Sequence, residues 1–227
     1  MNYKMMGKFI GLLLMVESIF MMPALIISLC MKEYSSIMGF TVTIVLLWGL
    51  GVTLRLLCRK ARKSFFAKEG LVCVGMGWLF MSLLGCLPFF LSGAIPNYVD
   101  ALFEIVSGFT TTGASILEQI EGLPYGILYW RSFSHWLGGM GVLVFLLAIP
   151  MGGEGGSGFT MHLLRAESPG PNVGKLVPKM KQTAQILYIL YIALTVLDVI
   201  FLLIGGMPVF DAVCTAFGTA GTGGFGI

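Results

Sequence analysis

The chain has 227 residues, of which 57% are hydrophobic and 11% charged, with a formal net charge of +3 and a mean hydropathy of +0.91. Soluble domains carry roughly 45–50% apolar and about 25% charged residues, so a water-soluble globule is excluded and an integral membrane protein is predicted. The small positive surplus gives no basis for nucleic-acid binding, and Cys30, Cys58, Cys73, Cys86 and Cys214 lack metal or disulfide spacing and read as small hydrophobes.

A membrane-crossing helix needs roughly 20 apolar residues. Five segments qualify: 9–31, 37–57, 71–95, 125–151 and 184–206. The first contains Glu17 and Pro23 and lacks a small-residue cleavage site, so it reads as a retained helix and not a signal peptide. Lys4 and Lys8 precede it. Arg55, Arg59, Lys60, Arg62, Lys63 and Lys68 crowd the connection between the second and third spans, and Arg165, Lys175, Lys179 and Lys181 lie between the fourth and fifth. Of the 14 Lys and Arg residues, only Lys32 and Arg131 fall elsewhere. The positive-inside rule therefore predicts a cytoplasmic N-terminus and cytoplasmic basic connections. Residues 96–124 carry Asp100, Glu104, Glu118 and Glu121 with no Lys or Arg. Two readings stand: an acidic outer vestibule that concentrates cations, or acids that only solvate a loop.

Two apolar segments are too short to span. Residues 98–109 (YVDALFEIVSGF) are followed by TTTGAS, and residues 209–217 (VFDAVCTAF) by GTAGTGGFGI. Segments of 10–14 apolar residues are typically re-entrant or interfacial, and irregular backbone at membrane depth is tolerated where it is packed in protein or lines a watery path. At an offset of 111 the two align without a gap, matching Asp100 with Asp211, Ala101 with Ala212, Thr111 with Thr222, Gly113 with Gly224 and Ile116 with Ile227. The predicted fold is all-α, with about five transmembrane helices and two re-entrant pore helices in repeats of span, pore helix, filter loop and span. The expected divisions are 1–68, two N-terminal helices; 69–151, the first pore repeat; 152–183, a cytoplasmic linker; and 184–227, a second repeat ending after its loop.

This unit suits a cation. Backbone carbonyls can replace an ion's water shell if the chain turns them toward one axis, and glycine reaches the required φ > 0 without steric cost. Threonine adds a hydroxyl to its carbonyl. A short helix ending at the loop presents its negative C-terminal dipole to the ion. Asp100 and Asp211 fall near the opposite, N-terminal ends, where acids stabilise the helix.

Thr222-Gly223-Gly224-Phe225-Gly226 is similar to the potassium-channel filter pattern TVGYG, and Thr111-Thr112-Gly113-Ala114-Ser115 is a looser version. Together with 130–141 (WRSFSHWLGGMG) and Glu167-Ser168-Pro169-Gly170-Pro171, these motifs resemble the TrkH-like branch of the Trk/Ktr/HKT superfamily of potassium-uptake proteins. The resemblance implies that Thr111, Thr112, Gly113, Thr222, Gly223 and Gly224 coordinate potassium, supported by Thr110, Ala114, Gly221, Phe225 and Gly226. It implies potassium over sodium, because the family associates serine at the position of Gly113 with sodium permeation. It also implies a multi-pass protein of the bacterial inner membrane, a homodimer, a cytoplasmic nucleotide-binding regulatory partner, and no cofactor or transition-metal site. The family surrounds one pore with four repeats, so this sequence is expected to hold about one and a half of them: a fragment, a truncated product or one part of a split assembly. The family's gating loop and pore-facing basic residue fall in the parts not represented.

Other patterns carry less. Gly221-x-Gly223-x-x-Gly226 fits a dinucleotide fingerprint without the helix and acid that must follow. The glycine-rich stretch 152–158 lacks Gly-Lys-Ser/Thr and reads as a linker. Glu17, Arg131, His135 and Asp198 are ionisable residues at membrane depth and are functional candidates, with interhelical hydrogen bonding expected for Arg131 and His135. No nucleophile–base pair has useful spacing, so an enzyme is not expected. Alternatives to potassium uptake are a non-conducting subunit that only associates with full-length partners, and a path for sodium or ammonium.

Overall fold

The computed structural model describes residues 3–59, 67–141 and 180–227. Residues 152–179 of the predicted linker, the glycine-rich stretch 152–158 included, Lys60, Arg62, Lys63 and residues 142–151 of the fourth predicted span lie outside them. The described residues form helices α1 (Tyr3–Cys30), α2 (Tyr34–Leu57), α3 (Ala67–Gly85), α4 (Leu87–Leu91), α5 (Tyr98–Phe109), α6 (Tyr125–Met140), α7 (Met180–Ile204) and α8 (Val209–Ala220). Among the described residues, four stretches are long and apolar enough to cross a membrane: Tyr3–Cys30, Tyr34–Leu57, Gly70–Leu91 and Gln185–Ile204.

The third predicted span is interrupted. Helix α3 ends at Gly85, and Pro88 sits in the first turn of α4, where its missing N–H costs nothing. The Cys86 amide still donates to the Ser82 carbonyl at 3.3 Å, and the Phe89 amide to the Cys86 carbonyl at 3.0 Å. Backbone hydrogen bonds therefore continue across the junction, except at Pro88, which has no N–H to donate.

Helices α1 and α2 form a hairpin, and α1 also packs against α3 and α6. This central position accounts for its buried row of Phe9, Leu13, Leu14, Met21 and Ala24. Glu17 lies in the same row, fully buried, and neither carboxylate oxygen has a hydrogen-bond partner among the described residues. Helix α6 is preceded at its N-cap by Pro124, which cannot cap it with a side chain. Glu33, in the α1–α2 turn, does so instead: its carboxylate accepts from the Tyr125 amide at 2.5 Å and the Gly126 amide at 3.2 Å. An acid at a helix N-terminus satisfies free amides and opposes the positive end of the dipole.

Trp130 of α6 is fully buried, and its indole N–H donates to the Gly85 carbonyl at 2.9 Å. Trp136 donates to Thr195 Oγ1 at 3.1 Å, and the Tyr191 hydroxyl returns a bond to the Trp136 carbonyl at 3.1 Å. Helix α6 is thereby fixed to α3 on one side and α7 on the other. The remaining face of α7 exposes Ile189, Leu190, Leu194, Leu197, Phe201 and Ile204, as expected of a surface solvated by lipid.

Candidate functional site

Helices α5 and α8 are backbone equivalents at the offset of 111 that the sequence alignment gives, and both run twelve residues. In α5 the Asn97 side chain caps the start, accepting from the Val99 amide at 2.9 Å. Asp100 sits in the first turn and contributes through the dipole instead of a capping bond, and Asp211 occupies the same place in α8.

The C-termini match bond for bond. Thr111 N–H donates to the Gly108 carbonyl at 3.0 Å and Thr112 N–H to the Ser107 carbonyl at 2.9 Å. Thr222 N–H donates to the Thr219 carbonyl at 3.0 Å and Gly223 N–H to the Gly218 carbonyl at 3.1 Å. This is the Schellman pattern, whose pivotal residue is left-handed and usually glycine. Here the pivot is threonine twice, with φ of 54° at Thr111 and 58° at Thr222. A β-branched residue in that region is a genuine outlier, costing on the order of 1–3 kcal/mol. Gly113 and Gly224 then take φ of 74° and 78°. Both loops thus follow one sequence of backbone handedness, and both keep threonine where conformation alone favours glycine.

The loops meet. A side chain on Gly113 would collide with the Gly223 carbonyl, and one on Gly223 with the imidazole of His135. Helix α6 lies between the two helix ends through Gly138, against the Phe109 carbonyl, and Gly139, whose Cβ would lie 2.7 Å from the Gly221 α-carbon. The opposite side is open: Thr110, Thr112, Ala114, Thr222, Gly224 and Gly226 are exposed. Thr110 Oγ1 donates to the Val106 carbonyl at 2.7 Å and lies 2.7 Å from Thr112 Oγ1. Phe225 is the exception, buried inward against α6. Its ring stacks on His135 with centroids 3.9 Å apart, and the Arg131 guanidinium lies 3.7 Å from its centroid.

Beneath the loops is a buried ion pair. Arg131 Nε donates to Glu104 Oε1 at 2.6 Å, with the side chains 2% and 0% exposed. Glu104 also accepts from Ser115 Oγ at 2.9 Å and from the Ile116 amide at 3.0 Å. Arg131 reaches the Gly226 carbonyl through Nη1 at 2.9 Å and Ser115 Oγ through Nη2 at 3.3 Å. One pair therefore ties α5, α6 and the tails of both loops together. Glu104 is consequently not part of an acidic vestibule. It was legible as a core position, since it shares a helical stripe with Ala101, Ile105 and Gly108, all buried. The interhelical role expected of Arg131 is what the structure shows. For His135 it shows ring packing, with neither imidazole nitrogen hydrogen-bonded among the described residues.

Residues 36–227 match TrkH, described as a cation transport protein. The chain is 39% identical to the Trk system potassium uptake protein TrkH of Halomonas elongata, over 99% of this chain and 46% of that protein. It is 33% identical to the Trk system potassium uptake protein TrkG of Escherichia coli K12, over 95% of this chain and 44% of that one. The crystal structure of the potassium transporter TrkH from Vibrio parahaemolyticus superimposes with a TM-score of 0.76 and 28% identity, over 96% of this chain and 42% of that chain. The chain thus spans about half the length of the relatives it matches.

Proposed function

The chain belongs to the TrkH family of cation transport proteins, and from that premise we propose that it forms one side of a potassium-conducting pore. Thr111, Thr112, Gly113, Thr222, Gly223 and Gly224 present carbonyl and hydroxyl oxygens to the partly dehydrated ion, with Thr110, Ala114, Gly221, Phe225 and Gly226 shaping the loops. The observation that carries this reading is the pairing of two loops of identical handedness, in contact at Gly113 and Gly223. Two twelve-residue helices end there, so two negative dipole ends favour a cation over an anion. Transport is taken as inward, across a bacterial inner membrane with a cytoplasmic N-terminus, as the Lys and Arg distribution supports. A homodimer and a cytoplasmic nucleotide-binding regulatory partner complete the proposal on the family resemblance.

The test is a chimaera in which residues 1–227 replace the matching part of Halomonas elongata TrkH. It is expected to restore growth of an uptake-deficient bacterium at low potassium and to take up rubidium in preference to sodium. A chimaera that reaches the membrane and conducts neither ion would overturn the reading, and equal uptake of sodium would overturn the selectivity.

A further inference from the structure

Away from Glu33, helices α1 and α2 come together through glycine. A Cβ on Gly11 would lie 2.8 Å from the Gly51 carbonyl oxygen, and one on Gly51 would lie 2.7 Å from that of Gly11. With only glycine at the closest approach, the flanking residues surround an open notch of about 350 Å³. Its lining has two chemical parts. Met15, Val52 and Leu56 form an apolar floor, and Lys8, Arg55 and Arg59 supply three cations.

The stem of Arg55 lies along the seam, its Cγ 3.2 Å from where a Gly11 side chain would begin, and its Nη1 is 3.8 Å from Met15 Sδ. Lys8 and Arg59 are exposed and Arg55 is half-buried. Of the acids within residues 1–69, Glu17 is buried in α1, Glu33 lies at the far end of the hairpin, and Glu69 belongs to the first turn of α3. Among the described residues, the recorded ion pair is that of Arg131 with Glu104, and no carboxylate neutralises the three cations of the notch.

We propose that this notch binds the phosphate-bearing headgroup of an anionic phospholipid. Three cations at the end of two membrane helices complement a phosphate, and the floor distinguishes a lipid from a free anion. Val52 and Leu56, with 38% and 65% of their surfaces exposed, continue the notch along α2 where acyl chains would lie. Soluble phosphate gains nothing from covering them. The arginine stems bury methylene groups against the floor while their charged ends stay at the polar boundary. Basic pockets between helices at the membrane face suit anionic headgroups in this way. The site is remote from the paired loops and does not depend on the reading given to them.

The test is native mass spectrometry of the purified full chain after exchange into equal phosphatidylglycerol and phosphatidylcholine of matched acyl length. Wild type is expected to retain phosphatidylglycerol preferentially. Lys8→Gln, Arg55→Gln and Arg59→Gln are each expected to lower that preference about fivefold, the factor for one cation at a membrane surface. The triple variant is expected to abolish it, and Lys32→Gln, at the opposite end of the hairpin, to leave it unchanged. Because the triple variant could fold poorly, Arg55→Lys and Lys8→Arg provide charge-preserving controls expected to keep most of the preference. A triple variant that elutes as wild type and still prefers phosphatidylglycerol overturns the site. Loss of bound phosphatidylglycerol on adding excess inorganic phosphate overturns the lipid as its occupant.

Discussion

Arg131 and Glu104 form a buried ion pair 2.6 Å apart, and each partner also holds the tail of a loop, Glu104 through Ile116 and Arg131 through Gly226. Truncating one member of such a pair leaves an uncompensated buried charge, at a cost of about 3–5 kcal/mol. Arg131→Met and Glu104→Met are each expected to lower the thermal unfolding midpoint sharply in detergent. The double variant should be less damaged than the sum of the two, by a coupling of about 0.5–3 kcal/mol. Additive losses would show that the pair does not act as a unit.

The left-handed threonines set stability against function. Replacing Thr111 or Thr222 with glycine removes strain of about 1–3 kcal/mol and adds chain entropy worth roughly 0.5–1 kcal/mol to the unfolded state. Each variant is therefore expected to hold or gain stability, by roughly 1 kcal/mol. In the chimaera, rubidium uptake should fall and sodium discrimination weaken, since the hydroxyl is gone. Unchanged selectivity in both variants would remove the threonine hydroxyls, though not the carbonyls, from the proposed ion ligands.

Gly113 and Gly138 are close-approach positions. A methyl group on Gly113 meets the Gly223 carbonyl, and one on Gly138 meets the Phe109 carbonyl. Neither neighbour can swing aside, because both are backbone. Gly113→Ala also places a side chain at φ 74°. Both substitutions are expected to abolish rubidium uptake by the chimaera while it still reaches the membrane. Gly75→Ala, where a Cβ meets no atom within 4 Å, should be tolerated.

Glu33 supplies the cap that Pro124 cannot. Glu33→Ala removes acceptors for the Tyr125 and Gly126 amides, and loss of an N-terminal cap costs about 0.5–2 kcal/mol. Hydrogen exchange should accelerate in the first turn of α6 and remain unchanged in α8. Uniform acceleration would point to a general loss of packing instead.

Much of this architecture could be read from the sequence because its signals are local. Helix α5 begins and ends where the apolar run and the Thr/Gly stretch place it, and the alignment at 111 residues pairs the two loops that share one backbone handedness. Helix α8 continues to Ala220, past the predicted 217, since Gly218, Thr219 and Ala220 can stay helical until the Schellman turn closes. What the sequence could not show depends on residues far apart in the chain. The helical stripe marks Glu104 as a core position, but its ion pair has no local signal because the counter-ion is 27 residues away. Phe225 belongs to the expected loop residues, yet its ring faces α6, because its partners Arg131 and His135 lie far earlier in the chain. The Glu33 cap, reaching 92 residues to Tyr125, has no local signal beyond a proline where a capping side chain would stand.

That cap also bears on how the chain is built. Synthesis runs from the N-terminus, so the α1–α2 turn and its carboxylate exist before Tyr125 leaves the ribosome. The start of α6 thus has a receptor waiting for it, and the hairpin serves as a template for the helix that later supports both loops. A single glutamate links the first turn to be made with the helix that both loops lean on.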